Sequence, residues 1–330
     1  MSTSTGSDLG PWEGLRAVVA GFGGAGFAAA DNLTHLGASV TALDEDPGDD
    51  ARAEQAELLE VLGATVRLGP GSTAALPDDV DLVVASPDWD GTEPLLVAAR
   101  ERGVPVWGEV ELAWRLRDPE RAAPWLVVTG APGVGADPGT TALMVEAVLR
   151  AEGRSAVVAG AAGLPLVEVV MDPAPYDAVV VALTPEQLRE PTPMSASAAA
   201  VLAVGDADET TRQRLGRVFE QVQRACVFNL ADQATEDLVR EAEVVEGARA
   251  IAFTHGIPAM GELGLVEDIL VDRAFIEARR TSAAELLTLA ELPGEGAAVL
   301  DAALAAAALA RAHGVSQAAV RDGLRGFGRA

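Results

Sequence analysis

Short apolar runs alternating with amphipathic stretches recur along this chain and restrict its fold more than any other feature. LRAVVAGFG (15–23), SVTALDED (39–46), TVRLG (65–69), DLVVASP (81–87) and VPVWGE (104–109) read as strands. AGFAAADNLTHLG (25–37), DDARAEQAELLEVLG (49–63) and PLLVAARERG (94–103) read as the helices between them. Strands with no polar face need cover on both sides, so the pattern predicts a parallel sheet between two helical layers. The rhythm resumes with WLVVTG (125–130), SAVVAG (155–160), DAVVVALT (177–184), AAAVLAV (198–204), ACVFNL (225–230) and ARAIAFT (248–254). A helix is expected over TTALMVEAVLRAEG (140–153), and the C-terminal segment is mostly helical. The expected class is therefore α/β in two parts: a Rossmann-like domain over 13–122 and a second α/β domain over 123–330. Residues 1–12 read as a disordered tail.

Charge narrows the partners. The 330 residues carry 50 acids against 24 bases, a net charge of −26, which repels nucleic acid and anionic membranes. MSTSTGSDLGPWEG lacks the basic and apolar regions of a signal peptide. No apolar run of about 18 residues is free of charge, so no membrane span is expected. The nearest, AAVLDAALAAAALARA, is interrupted by Asp301, and its alanines suit a packed helix. Cys226 is the only cysteine, so no intrachain disulfide forms, which fits a reducing cytoplasm.

Two glycine loops carry the candidate chemistry. GFGGAG matches G-x-G-x-x-G at Gly21, Gly23 and Gly26, after a strand and at the start of a helix, and Asp44 ends the next strand. Such a loop offers backbone N–H groups and a helix N-terminus to a diphosphate, and Asp44 can accept from a ribose. The plainer alternative is a tight turn that needs glycine for packing alone. The second loop, TGAPGVGADPGTT (129–141), resembles a phosphate loop without its lysine. All 24 basic residues are arginines, so ammonium and Schiff-base chemistry are closed to this chain alone.

VVAGFGGAGFAAADNL (18–33), DLVVASP (81–87), PLLVAARERGVPVWGEVELAWRL (94–116), the loop at 125–143, GLPLVEVVMDP (163–173), ACVFNLADQATEDLVREA (225–242) and ALAAAALARAHGVS (303–316) together resemble the Mur ligase family. The likeness is greatest to its D-glutamate-adding branch of actinobacterial type, and it covers nearly the whole chain. It implies a first domain that binds a UDP-sugar and a central domain that binds ATP. A third domain would bind the amino acid that attacks an acyl phosphate. The sequence ends at LRGFGRA, about where that third domain would begin, so a C-terminal ligase domain is expected to be absent. On the first domain the resemblance implies UDP-ligand contacts at Gly21, Phe22, Gly23, Gly24, Ala25, Gly26, Asp44, Ser86 and Pro87. Asp88 stands where the family prefers glycine.

The central domain departs from the family. Its ATP loop, T-G-T-N-G-K-T-T, maps onto Gly135-Ala136-Asp137-Pro138-Gly139-Thr140-Thr141, with Gly139 at the lysine and Asp137 at the asparagine. Pro138 removes a backbone N–H. Each close charge contact is worth roughly 4 kcal/mol at an effective dielectric of 20 before screening and desolvation, and both changes disfavour a triphosphate. Ala182 holds the place of the magnesium-binding glutamate, with Glu186 nearby and Gln187 and Leu188 retained. Asp208 holds that of a histidine metal ligand, and Leu215 that of the carbamylated lysine before Gly216-Arg217-Val218-Phe219. Ala298, Val299 and Ala302 replace the family's H-N-x-x-N. Ala161 replaces an asparagine beside the retained Gly160, Gly163 and Pro165. Asp206 and Asp208 read as solvated acids, so no metal site is expected.

The other titratable candidates are His35 and His313, which read as helix caps, and His255, a loop histidine beyond a strand. Three readings compete. The first is a non-catalytic, Mur-ligase-like protein, a pseudoenzyme, that binds a UDP-N-acetylmuramoyl ligand or a Mur-pathway protein as sensor, decoy or scaffold. It needs no cofactor. The second is a divergent ATP-dependent amide ligase using ATP and Mg, with a separate amino-acid-binding domain and with Gly135, Gly139, Thr140 and Thr141 on the nucleotide. The third, a dinucleotide enzyme using Gly21 to Gly26 and Asp44, lacks a hydride-transfer residue and ranks last.

Overall fold

β1 (Arg16–Ala20) is buried along all but its first residue, as expected for RAVVA in the middle of a covered sheet. In the computed structural model, which describes residues 11–328, it leads to α1 (Gly24–His35), β2 (Ser39–Asp44), α2 (Asp50–Val61) and β3 (Thr65–Leu68). β4 (Leu82–Ala85), α3 (Pro94–Glu101), β5 (Val106–Trp107) and α4 (Glu109–Leu116) follow. The five strands pair in parallel in the order β3-β2-β1-β4-β5. Most of the expected tail lies outside the described residues. Trp12, assigned to it from the sequence, packs edge-on to Trp107 at 6.4 Å between centroids.

The strand expected over 104–109 is reduced to two residues. Gly108 ends it and serves as N-cap of α4, whose first turn holds Glu109 and Glu111, where the helix dipole favours acids. Val110, Leu112 and Ala113 turn inward.

The second compact unit takes residues 118–164 and 172 onward. It contains β6 (Trp125–Thr129), α5 (Pro138–Ala151) and β7 (Ala156–Gly160). The chain then contributes α6 (Leu166–Met171) to the first unit, where the buried Glu109 carboxylate accepts from the Leu166 N–H at 2.7 Å. The second unit resumes with β8 (Ala178–Leu183), β9 (Ala198–Val201), α7 (Glu209–Gly216), β10 (Ala225–Asn229) and α8 (Gln233–Glu241). β11 (Arg249–Phe253), β12 (Glu262–Val266), β13 (Ile269–Asp272), β14 (Ala284–Thr288), α9 (Ala297–Ala312) and α10 (Gln317–Gly326) complete it.

Its nine strands run β14-β13-β12-β11-β10-β9-β6-β8-β7. From β7 to β12 the pairing is parallel, as the sequence suggests, but β12–β13 and β13–β14 are antiparallel. The sheet is therefore mixed. Glu267 and Asp268 make the tight turn between β12 and β13, with Glu267 at φ 58°. Glycine or asparagine is the usual resident of such a position, so the sequence carries no hairpin signal there.

α9 is buried at every position from Leu300 to Ala310, and its alanines let it lie close against the sheet. Two polar features sit within this core. Cys226, on β10 between β9 and β11, is 2% exposed, and burial pushes its thiol up to about 12. Asp272 is wholly buried: Arg311 Nε donates to its Oδ2 at 2.9 Å, and the Ala274 and Phe275 N–H groups donate to Oδ1, each at 2.8 Å.

Two glycine loops as candidate functional sites

In the first unit, β1, β2 and β4 are neighbours, so the loops at their C-terminal ends meet. They bring Gly21–Gly26, Asp44 and Ser86-Pro87 together beside the start of α1. This is the crevice where open parallel sheets hold ligands. Gly21 lies at φ 103°, and a Cβ there would come within 2.4 Å of Ser86 Cβ. A Cβ on Gly26 would meet the Gly21 carbonyl oxygen at 2.0 Å, so both positions require glycine for close packing. Gly23 and Gly24 face open space instead. Gly23 is the N-cap of α1, and among the described residues no side chain caps that helix. Within them, the N–H groups of its first turn have no side-chain acceptor.

Two expected ligand contacts are turned inward. The Phe22 ring is fully buried, edge-on to Phe27 at 6.1 Å. Its N–H donates to Asp44 Oδ2 at 2.6 Å, while Asp44 Oδ1 accepts from the Asp46 N–H and Arg52 stands 3.7 Å from Oδ2. Asp44 thus fastens the glycine loop to β2, with acceptor lone pairs remaining.

The second loop has the opposite character. Residues 130–139, with Ala161, Ala162 and Leu183–Pro185, line a cavity of about 430 Å³ at the end of β6. Asp137 is the N-cap of α5, and its Oδ2 accepts from both the Thr140 N–H (2.6 Å) and the Thr140 hydroxyl (2.9 Å). The Thr141 hydroxyl donates to the Asp137 carbonyl oxygen at 3.0 Å. A carboxylate of the chain's own thus occupies the helix end where a phosphate would be held. A Cβ on Gly139 would lie 3.1 Å from Ala162 Cβ and 3.2 Å from Asp137 Oδ2, so little room remains beside it.

Ala182 is buried within β8, and its carbonyl oxygen accepts from the Ala161 N–H at 2.8 Å. Asp208 caps α7 through the Thr211 N–H at 2.7 Å, a bond that holds its carboxyl below the usual range. Leu215 and Ala302 are buried. Among the described residues, no group of three His, Cys, Asp or Glu side chains is placed to share a metal ion.

His255 lies in the loop beyond β11, as the sequence implies, and it has a partner there. Its Nε2 lies 2.7 Å from Oδ1 of Asp301 on α9, and burial pushes that carboxyl up while His255 opposes the shift. The available signal was an acid inside an otherwise apolar helix, which needs a polar partner somewhere. His313 stands at the C-cap position of α9, but burial pushes its imidazole down to about 4, so it does not supply the cation expected there.

No family model matches the chain. Over 324 residues, 96% of its length, it is 46% identical to the UDP-N-acetylmuramoylalanine–D-glutamate ligase of Streptomyces avermitilis, of which it covers 68%. It belongs to the Mur ligase family. A second member, from Streptomyces coelicolor, is also 46% identical, over 326 residues, with the same 68% covered. The protein from Leifsonia xyli is 40% identical over 343 residues, with 65% covered. Among solved Mur ligase structures, UDP-N-acetylmuramate–alanine ligase from Thermotoga maritima matches 95% of this chain with a TM-score of 0.53 at 19% identity, 68% of that chain being covered. A murein peptide ligase from Psychrobacter arcticus matches 96% with a TM-score of 0.58 at 14% identity, again over 68% of that chain. These two likenesses establish a shared Mur ligase fold.

Proposed function

We propose that this Mur ligase relative no longer forms an amide bond, and that it binds a UDP-muramoyl ligand or a peptidoglycan-pathway protein as sensor, decoy or scaffold. The observation that carries the reading is the Asp137 carboxylate on the N-terminus of α5, bonded to the Thr140 N–H and hydroxyl. An incoming triphosphate would have to displace it, against like-charge repulsion, with no lysine anywhere in the chain to compensate. Ala182, Leu215 and Ala302, at positions where the resemblance implies polar groups, are buried apolar residues. The residues present do not fit ATP and its magnesium.

The first loop supports retained ligand binding. Its helix N-terminus has no side-chain cap among the described residues, and Gly23 and Gly24 leave its backbone open to a diphosphate. The contrast between a helix end taken by a carboxylate on the second unit and an uncapped one on the first is what favours binding without catalysis.

Calorimetric titration tests this directly. UDP-MurNAc-L-Ala is expected to bind with micromolar affinity, and ATP–Mg is expected to give no heat. The relatives at 46% identity carry the name of a ligase, which favours a second reading in which a separate amino-acid-binding domain completes the enzyme. Saturable ATP–Mg binding would establish that reading and overturn the first.

A further inference from the structure

At the opposite end of the second unit's sheet from the glycine loop lies a cavity of about 640 Å³ lined by Arg249, Phe275, Glu277, Arg279, Arg280 and Arg311. Acids outnumber arginines by 50 to 24 in this chain, so four guanidiniums around one cavity run against its composition. Arg311 is committed to Asp272 and to the carbonyl oxygens of Val315 and Phe275. The other three have no ion-pair partner among the described residues. Arg249 and Arg279 both donate to one neutral acceptor, the carbonyl oxygen of Ala274, at 2.6 and 3.4 Å. Burial lowers the Arg249 pKa, and the nearby Arg279 lowers it further, with Asp272 opposing. The Phe275 ring lies 5.1 Å from the Arg249 guanidinium.

The loop that supplies Arg279 and Arg280 is held in place. Arg273 donates from Nε to the carbonyl oxygen of Arg279 at 3.1 Å and from Nη2 to that of Arg280 at 3.2 Å, while Nη1 reaches the carbonyl oxygen of Pro258 at 3.1 Å. One arginine thus fixes the backbone that presents two others. Three guanidiniums gathered without a direct ion pair among the described residues, with Glu277 and the Arg311-bound Asp272 as the nearby acids, are an arrangement that an anion completes.

We infer that this cavity binds a small molecule carrying phosphoryl groups and at least two negative charges. Its donors converge from separate backbone positions, on β11 and on the β13–β14 loop. A tetrahedral phosphoryl group presents three acceptor oxygens pointing in three directions, one more than a planar carboxylate offers. The site is independent of both glycine loops and does not rest on the loss of catalysis.

The experiment is calorimetric titration of the full chain with pyrophosphate, and separately with tricarballylate, at low ionic strength. Pyrophosphate is expected to bind, and Arg279→Ala/Arg280→Ala is expected to weaken it by about tenfold or more, the scale of lost charge-assisted hydrogen bonds. Both side chains are exposed, so the fold should survive their removal. Arg67→Ala, an exposed arginine of the first unit, should leave the affinity unchanged. Absence of pyrophosphate binding, or equal affinity in the double variant, overturns the site. Binding of tricarballylate alone overturns the phosphoryl assignment.

Discussion

Asp137 does for α5 what a bound phosphate does for other helices: it accepts from the first-turn donors and places negative charge against the positive end of the dipole. Asp137→Ala should therefore cost about 1 kcal/mol, with Asp137→Asn close to wild type, because asparagine caps equally well. Urea unfolding checks this, and an unchanged midpoint for the alanine variant would mean that the cap contributes nothing. His313 provides a second residue-scale test. Burial pushes its imidazole down to about 4, with Arg154 and Arg224 adding to the shift. An unfolded chain takes up that proton near the ordinary value of 6.5, and the folded chain only near 4. The unfolded state binds more protons across that window, so the residue's contribution is complete above pH 6.5 and is lost as pH falls towards 4. The loss proceeds at no more than about 1.4 kcal/mol per pH unit. His313→Gln should flatten that part of the stability profile, measured as the difference from wild type between those pH values.

Elements divide into those the sequence announces and those it conceals. The parallel strands are legible because runs such as AVVVAL and LVVA are apolar at every position and end at polar or glycine turns. The β12–β14 portion is concealed, since its tight turn uses Glu267-Asp268 and its strands carry Glu262, Asp272 and Glu285. α6 is concealed differently: nothing local tells a six-residue helix that it joins the first unit through Glu109. Of the candidate sites, the glycine loops were legible from spacing. The pairing of His255 with Asp301, and the gathering of Arg249 with Arg279 and Arg280, depend on contacts distant in sequence. The buried Asp272–Arg311 pair joins β13 to α9. Arg311→Met leaves a wholly buried carboxylate without its cation and should cost about 3–5 kcal/mol by urea unfolding. Adding Asp272→Asn should recover part of that loss, because the two side chains act as one unit.

Across the whole molecule, a net charge of −26 places like charges within one another's field. Raising sodium chloride from about 0.05 to 0.5 M shortens the screening length several-fold. The thermal midpoint at pH 7 should rise over that range, and a flat or falling midpoint would show that paired charges outweigh the repulsion. The single thiol has a consequence of another kind. Cys226 lies inside β10, flanked on both sides by hydrogen-bonded strands, and no second cysteine competes with it. In excess thiol reagent, a molecule gains a label only after the middle of that sheet has met solvent. At low reagent the labelling rate follows the open population; at saturating reagent it becomes the opening rate itself. The second unit thus contains its own stopwatch, read as one mass increment per molecule and set by how long its central strand stays shut.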